Sequence, residues 1–467
     1  MTDTPATDTD ALFRRLATEL PAGALLTDPD ECWVYGYDNS RRQGRPVAVA
    51  QPEDREQVAA VLRHCHEAGV PVTPRGRGTG TTGATVPDHG GVILSTERLQ
   101  RLEPVAADDR YVVAEPGVTN GAVQTAAGEH GFFWPPDPTS AAYCSVGGNL
   151  AYNSAGPRAV KYGTPRENTL GLEAVTMDGR ILRSGVRTTK GVVGYDLTRL
   201  LIGSEGTLAV ITEATLRLTP LPEARATLKA VYADMAAAAR AVSRIMAQPV
   251  VPCALEFIDG AAIEMVRAHS EADLPEGAGA LLMIEVDGPA ACLEASATAV
   301  ANAAHGEGLL DLQRATEAAD VAALWATRKA LSPALRQVAP KKINEDVVVP
   351  VSRIPELIEG LRGLGARHGI TIVNFGHAGN GNIHVNLLVN PDDAQELERA
   401  WRCLDEVFAL VLGLGGTLSG EHGVGLEKRD YVDREITPAT LALMRGIKAA
   451  FDPRGLLNPG KGLPPDS

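Results

Sequence analysis

Several things are scarce in this chain, and each scarcity removes a class of function. No apolar run approaches the eighteen or so residues that a bilayer crossing needs, so no membrane span is expected. Basic residues are outnumbered, 44 Lys and Arg against 58 Asp and Glu. The formal charge of −14 argues against nucleic acid as a partner, because phosphate binding needs a basic surface. The six cysteines (Cys32, Cys65, Cys144, Cys253, Cys292, Cys403) form no CxxC pair and read as reduced thiols of a cytoplasmic protein. The start, MTDTPATDTD, is acidic and polar and carries no signal-peptide pattern. Histidine is rare, ten in 467 residues, so where histidines gather the chemistry is worth pursuing.

What is plentiful is glycine (48) and proline (31), within a chain that is 44% hydrophobic and can build large cores. That composition suits glycine-lined ligand loops and argues against a helical bundle. The expected elements begin with a helix at Asp10–Leu20. A second, Pro52–Ala68, has Val58, Val61 and Leu62 on one face and stops at Gly69. Strands are expected at Val70–Pro74, Gly91–Ser95, Tyr111–Glu115, Thr169–Met177 and Arg180–Ser184, with a helix at Asn120–Glu129. Residues 134–168 read as loop. The character shifts at Thr219–Glu223. Beyond it, helices (233–247, 290–305, 354–368) alternate with strands (Ala254–Ile258, Ala280–Val286, Ile370–Phe375, Ile383–Val389), as in an α+β domain with an antiparallel sheet. A last helix, Thr437–Phe451, runs into FDPRGLLNPGK, a tail punctuated to wrap over other structure.

Gly78-Thr79-Gly80-Thr81-Thr82-Gly83 fits GxGxxG, yet no helix follows it, so a nicotinamide-binding Rossmann unit is rejected. The loop still suits phosphate. Successive backbone N–H groups in a glycine turn form an anion nest, and Arg75 and Arg77 flank it. Two more small-residue tracts, Gly147–Gly163 and Gly203–Gly206, would let backbone approach a large flat ligand from several sides, as an adenine dinucleotide requires.

The histidines gather in GHAGNGNIH (376–384) and LSGEHGVG (418–425). The first reads as a hairpin, with His377 at the end of one strand and His384 and Asn386 on one face of the next, two residues apart. His377 and His384 can converge across the turn, and Glu421 would arrive from another segment. Two imidazoles and a carboxylate with open positions suit Zn²⁺ or Mn²⁺ as a Lewis acid. A hydrogen-bonded histidine cluster without metal is the competing reading. His422, directly after Glu421, is placed to act as a general base near neutral pH.

In this order, PRGRGTGTTG (74–83), SVGGNLAYNSAGPRAVKYG (145–163), GYDLTRLLIGSEGTLAVIT (194–212), the two histidine patches and NPGK (458–461) resemble the vanillyl-alcohol oxidase and p-cresol methylhydroxylase flavoproteins. Within them the chain is similar, over about residues 40–462, to the group of D-lactate dehydrogenase, D-2-hydroxyglutarate dehydrogenase and the glycolate oxidase flavin subunit.

The resemblance implies an α+β protein. An N-terminal helix and arm (1–39) precede a PCMH-type FAD-binding domain of two α+β subdomains (40–219). An α+β cap with an antiparallel sheet and the metal site follows (220–420), then a C-terminal segment returning to the flavin (421–467). FAD is expected non-covalently, since the first loop holds no histidine. Arg75, Gly76, Arg77, Gly78, Thr79, Gly80 and Thr81 would cradle the pyrophosphate. Pro136, Asp137, Ser140, Gly147, Gly148, Asn149, Asn153, Gly156, Tyr162 and Gly163 would line flavin and ADP. Glu205, Gly206 and Ile211 would close the adenine and ribose end, and Asn458 would return to the flavin.

The same resemblance puts the metal on His377, His384 and Glu421 and joins Asn386 to the catalytic set with His422. Arg328 is the expected clamp for the substrate carboxylate, against a rival reading as a solvated helix arginine beside Lys329. Lys342 is a second clamp whose register the neighbouring Lys341 leaves open. Trp134 and Tyr143 are equally suited to core packing and to flavin contact.

The activity implied is oxidation of a D-2-hydroxyacid, D-lactate or a close analogue. Electrons would pass to a quinone, a cytochrome, an electron-transfer flavoprotein or a partner subunit. A homodimer and attachment to the inner face of the membrane are both compatible with this reading. The alternatives are the flavin subunit of a glycolate oxidase complex, D-2-hydroxyglutarate dehydrogenase, a metal hydrolase built on the same histidines, and a non-catalytic flavin-binding module. The three glycine tracts argue against the hydrolase, and His422 beside a complete ligand set argues against the last.

Overall fold

The structure is a computed structural model that describes residues 9–269, 275–317, 319–322, 324–325 and 341–465. The chain divides into two compact units. The first holds Met1–Gly156, Gly163–Leu221 and Glu421–Ser467, and the second holds Pro157–Tyr162 and Pro222–Gly420.

The first unit contains β1 (Leu25–Leu26), β2 (Ala48–Ala50), β3 (Val72–Arg75), β4 (Val92–Ser95), β5 (Tyr111–Ala114), β6 (Phe132–Phe133), β7 (Thr169–Val175), β8 (Ile181–Gly185), β9 (Val210–Arg217) and β10 (Thr219–Pro220). One sheet runs β1-β2-β4-β3, with β4 parallel to both β2 and β3. All four residues of β4 are buried, as expected of a central parallel strand covered on both faces. The helix Arg55–Ala68 covers this sheet. Asp54 accepts from Gln57 N at its start and Gly69 closes it at φ 70°, so Pro52 lies outside the helix rather than in it. Leu12 and Leu16 of the helix Thr9–Glu19 join the same core. A second, antiparallel sheet runs β5-β9-β7-β8, and β6 pairs with β10.

One tract expected as loop is helical. Val146–Tyr152 forms a short helix, because Ser145 accepts from Gly148 N, Val146 and Leu150 are buried, and Asn153 ends it in the left-handed conformation at φ 58°. Trp134 is fully buried and donates Nε1–H to Asn168 O at 3.1 Å, a core residue, whereas Tyr143 is 75% exposed.

The second unit contains β11 (Ala224–Tyr232), β12 (Ala254–Asp259), β13 (Ala280–Gly288), β14 (Leu309–Ala315), β15 (Lys341–Val348), β16 (Thr371–His377) and β17 (Asn382–Val389). They form one antiparallel sheet, ordered β14-β11-β13-β12-β16-β17-β15. The helices Met235–Ala247, Ala290–Ala304, Ile354–His368 and Ala394–Gly413 belong to this unit. No described helix is long and apolar enough to cross a membrane.

Candidate active site

In the first unit the three small-residue tracts meet around one cleft. It has about 570 Å³ of atom-free space, part of it open to solvent. Arg75, Gly76, Gly147, Gly148, Glu205, Gly206 and Ile211 line it, together with Tyr152. Two of these glycines are fixed by what surrounds them. A Cβ on Gly76 would lie 2.7 Å from Ser145 Oγ, and one on Gly147 would lie 2.5 Å from Pro116 Cβ. Gly148 differs: its Cβ would meet only Ser145 Oγ at 3.4 Å and would otherwise stand in the cleft.

Arg75 lines the cleft but is buried. Its Nη1 donates to Tyr37 O at 2.6 Å, and its guanidinium packs over the Tyr35 ring. Burial lowers its pKa, with Asp38 opposing that shift. A Cβ on Gly78 would fall 2.4 Å from Arg75 Nη2, so the loop turns back over this side chain. Arg77 is exposed, and Thr79, Gly80 and Thr81 continue the loop, each partly exposed.

The other expected cofactor residues also have partners within the chain. Asn149 is buried and accepts from Asn120 Nδ2 at 3.2 Å, and the same amide donates to Pro136 O at 2.9 Å. Asn153 Oδ1 accepts from Thr164 Oγ1 at 3.0 Å and Arg166 N at 3.1 Å. Ser140 O takes the amides of Tyr143 and Cys144. Gly156, at φ 77°, sits against Asp137 O, and Gly163 is left-handed at φ 81°. Tyr162 is in the second unit and donates its hydroxyl to Asp287 at 2.8 Å; burial and that carboxylate raise its pKa.

The tail is built into the first unit. Leu457 pairs with Val72 in parallel, Asn458 N donates to Val72 O at 2.7 Å, and Asn458 Nδ2 donates to Ala84 O at 2.9 Å and Glu205 O at 2.7 Å.

In the second unit the hairpin β16–β17 pairs His377 with Asn382 and Phe375 with His384, which puts both histidines on one face of the sheet. Their rings are 5.2 Å apart, edge to face, and both are buried. Glu256, opposite His377 on β12, approaches His377 Nδ1 to 2.5 Å. Sequence reasoning missed Glu256. Its signal was a carboxylate set between Leu255 and Phe257 in the strand segment ALEFID.

Asn386, fully buried, donates Nδ2–H to Val373 O and His384 O, and its Oδ1 has no hydrogen-bond partner among the described residues. On β15, Asn344 faces Asn386, Asp346 faces His384 and Lys342 faces Leu388. Lys342 therefore lies on the histidine face of the sheet and Lys341 on the other. Asp346 accepts from Ser419 Oγ at 3.1 Å and from Gly420 N at 3.0 Å, tying Gly420 to the strand beside His384. Glu421 and His422 are the next two residues of the chain. Arg328 lies outside the described residues.

Comparison with known proteins matches most of the chain. Residues 46–185 match the FAD binding domain model, and residues 221–462 match the model for the C-terminal domain of FAD linked oxidases. The chain is 37% identical over 429 residues to the glycolate oxidase subunit GlcD of Bacillus subtilis, covering 92% of this chain and 91% of that one. It is 38% identical to a D-lactate dehydrogenase of Archaeoglobus fulgidus (90% and 92% covered) and 36% identical to a D-2-hydroxyglutarate dehydrogenase of Xanthomonas citri (97% of each). Among solved structures, p-cresol methylhydroxylase with substrate bound superposes with a TM-score of 0.82 at 17% identity, over 100% of this chain and 99% of that one.

The chain therefore belongs to the FAD-linked oxidases, with the PCMH-type fold. It is an FAD-linked oxidoreductase of the D-lactate, glycolate and 2-hydroxyglutarate dehydrogenase group.

Proposed function

We propose that the chain oxidises a D-2-hydroxyacid, D-lactate or a close analogue, to the 2-oxoacid, with FAD and a divalent cation, Zn²⁺ or Mn²⁺. The observation that carries this is the histidine face of the second unit. Two buried imidazoles meet there, one of them oriented by a carboxylate, beside an Asn386 oxygen left for a ligand. Its relatives named for D-lactate, glycolate and 2-hydroxyglutarate support the substrate class.

The residues present fit both groups. A Cβ at Gly148 would occupy the cleft, which is what a flat dinucleotide ring needs left open. Glu256 engages His377 Nδ1, so Nε2 is the ring atom that a metal would take, the usual carboxylate–histidine–metal arrangement. His384 and Glu421 supply the nitrogen and oxygen that complete a set suited to Zn²⁺ or Mn²⁺. Bound FAD supplies the hydride acceptor, and the cation supplies Lewis acidity toward the substrate oxygens.

The chain's own part is binding and proton transfer. His422 takes the proton of the substrate hydroxyl on its imidazole nitrogen. Asn386 holds a substrate oxygen or the hydroxyl proton. Lys342, on the same sheet face, and Arg328 bind the carboxylate. Arg75–Thr81, Gly147–Gly148 and Gly206 cradle the cofactor through backbone and small side chains.

A second reading, the flavin subunit of a glycolate oxidase complex, is favoured by the similarity to GlcD. One experiment addresses both: anaerobic addition of D- and L-2-hydroxyacids to the purified chain, following flavin bleaching. Reduction by D-lactate alone supports the first reading. Reduction by glycolate that becomes catalytic only with added subunits supports the second. A protein that takes up no FAD excludes both.

A further inference from the structure

Residues 421–426 carry His422 but belong to no helix or strand, so their shape is set by what holds them. In the first unit that hold is specific. Gly156 N donates to Glu421 Oε2 at 2.7 Å, Thr82 Oγ1 donates to His422 O at 3.3 Å, and Leu426 N donates to Thr82 O at 2.7 Å. The charged member is Glu205. One carboxylate oxygen accepts from Val424 N and the other from Gly425 N at 2.8 Å. Charge-assisted bonds are roughly twice as strong as neutral ones, so two of them to successive amides hold a loop firmly.

Glu205 is itself held. It is buried, sits in the left-handed region at φ 53°, and accepts Asn458 Nδ2–H on its own carbonyl at 2.7 Å. Gly423, at φ 84°, is the residue that lets the segment approach, since a Cβ there would lie 2.4 Å from Glu205 Oε1. A non-glycine residue kept in this backbone region, in contact with a functional loop, points to a role worth the strain. Burial raises its carboxyl pKa, opposed by the two amides and by Lys428 and Lys461.

We infer that Glu205 is a positioning residue whose carboxylate holds the His422-bearing segment, rather than a side chain that binds the adenine end of the cofactor. The functional half of this inference rests on His422 being the base. Its structural half does not.

Two variants test it. Glu205→Gln keeps size and one acceptor but turns an amide donor toward two backbone donors. Gly423→Ala disturbs the same contact from the other side, and its Cβ would also meet Tyr152 Cδ1 at 2.7 Å, so it is read by amide exchange and flavin reduction rather than by FAD affinity. Glu205→Gln should keep FAD affinity within about threefold of the parent, because it preserves the size of a side chain that lines the cleft. Amide exchange at Val424 and Gly425 should quicken about tenfold or more, since these protons lose their acceptor. The limiting rate of flavin reduction should fall about 10²-fold with little change in the substrate concentration needed for half-saturation, the signature of a misplaced base. Combined with His422→Asn, Glu205→Gln should slow reduction no further.

FAD affinity that drops while exchange at 424–425 stays unchanged would overturn the inference and return Glu205 to cofactor binding. So would a normal reduction rate in Glu205→Gln alongside a crippled His422→Asn. If His422→Asn itself reduces flavin normally, the base reading fails on its own, and the exchange data still decide whether Glu205 holds the segment.

Discussion

At the scale of single residues, a buried carboxylate, that of Glu256, orients one imidazole of the histidine pair. With its carboxylate at His377 Nδ1, the imidazole can turn only Nε2 to a ligand. Glu256→Gln should leave the fold intact and weaken the metal about 10- to 100-fold, the usual effect of losing such a partner. Metal titration of the chelated protein, read by activity and by bound metal, checks this. His384→Ala removes a ligand outright. It should behave like chelated enzyme, with flavin retained and turnover lost; full activity in that variant would make the histidines structural. His422→Asn should keep both FAD and metal while slowing flavin reduction by about 10²–10⁴-fold. Stopped-flow mixing with substrate separates that from a slow reoxidation, in which His422 has no part.

At the scale of elements, the helix Val146–Tyr152 sets stability against function. Gly148 lies inside it, and a Cβ there meets nothing closer than 3.4 Å. Gly148→Ala should therefore stabilise the apoprotein by about 0.5–1 kcal/mol, because glycine is the poorer helix former. The same methyl group stands in the cleft and should lower FAD affinity at least severalfold. Thermal melts of the FAD-free protein and flavin titration should move in opposite directions. A variant that binds FAD as tightly as the parent would place the cofactor elsewhere.

This helix also shows where the sequence stops being legible. Glycines at 147 and 148 hide it, and the Ser145 and Asn153 caps and the burial of Val146, Asn149 and Leu150 hold it. Elements with a sustained apolar or alanine-rich pattern were readable, as with the hairpin β16–β17, the helix Ala290–Ala304, and the helices Arg55–Ala68 and Met235–Ala247, which Asp54 and Asp234 also cap. The strands β11, β14 and β15 were not. β15, KKINEDVV, puts Lys342, Asn344 and Asp346 on the histidine face, so its polar residues point toward the site and mask the strand. β11 buries Thr227 and Lys229, which breaks its apolar alternation in the same way. The pairing of His377 with His384 could be read from hairpin spacing. The contribution of Glu256 could not, because it depends on β12 lying beside β16.

At the scale of the whole molecule, the last residues of the chain complete the first sheet. Leu457, fully buried, packs in the same core as Val58, Leu62, Val72 and Val92, and its backbone pairs with Val72 on β3. β3 runs directly into the glycine loop at Arg75, so the tail braces the strand that presents the cofactor cradle. Asp452 and Lys448 secure the tail from behind. Asp452 Oδ2 accepts from Leu457 N at 2.7 Å, and Lys448 Nζ donates to Asp452 Oδ2 at 2.6 Å and to Leu457 O at 2.9 Å. Leu457→Ala should cost about 2–5 kcal/mol, the usual range for emptying a buried leucine position. The loss belongs to the first unit, which contains the whole cleft. Melting followed by flavin fluorescence should therefore shift down strongly, and excess FAD should restore part of the difference, since a ligand bound only to the folded state stabilises by about 2.7 kcal/mol at a hundred times its Kd. Far-UV signal from the second unit, Pro222–Gly420, should persist after the flavin is released. Simultaneous loss of flavin and of all helical signal would mean that the two units unfold as one, and the tail would then brace the molecule rather than the cradle.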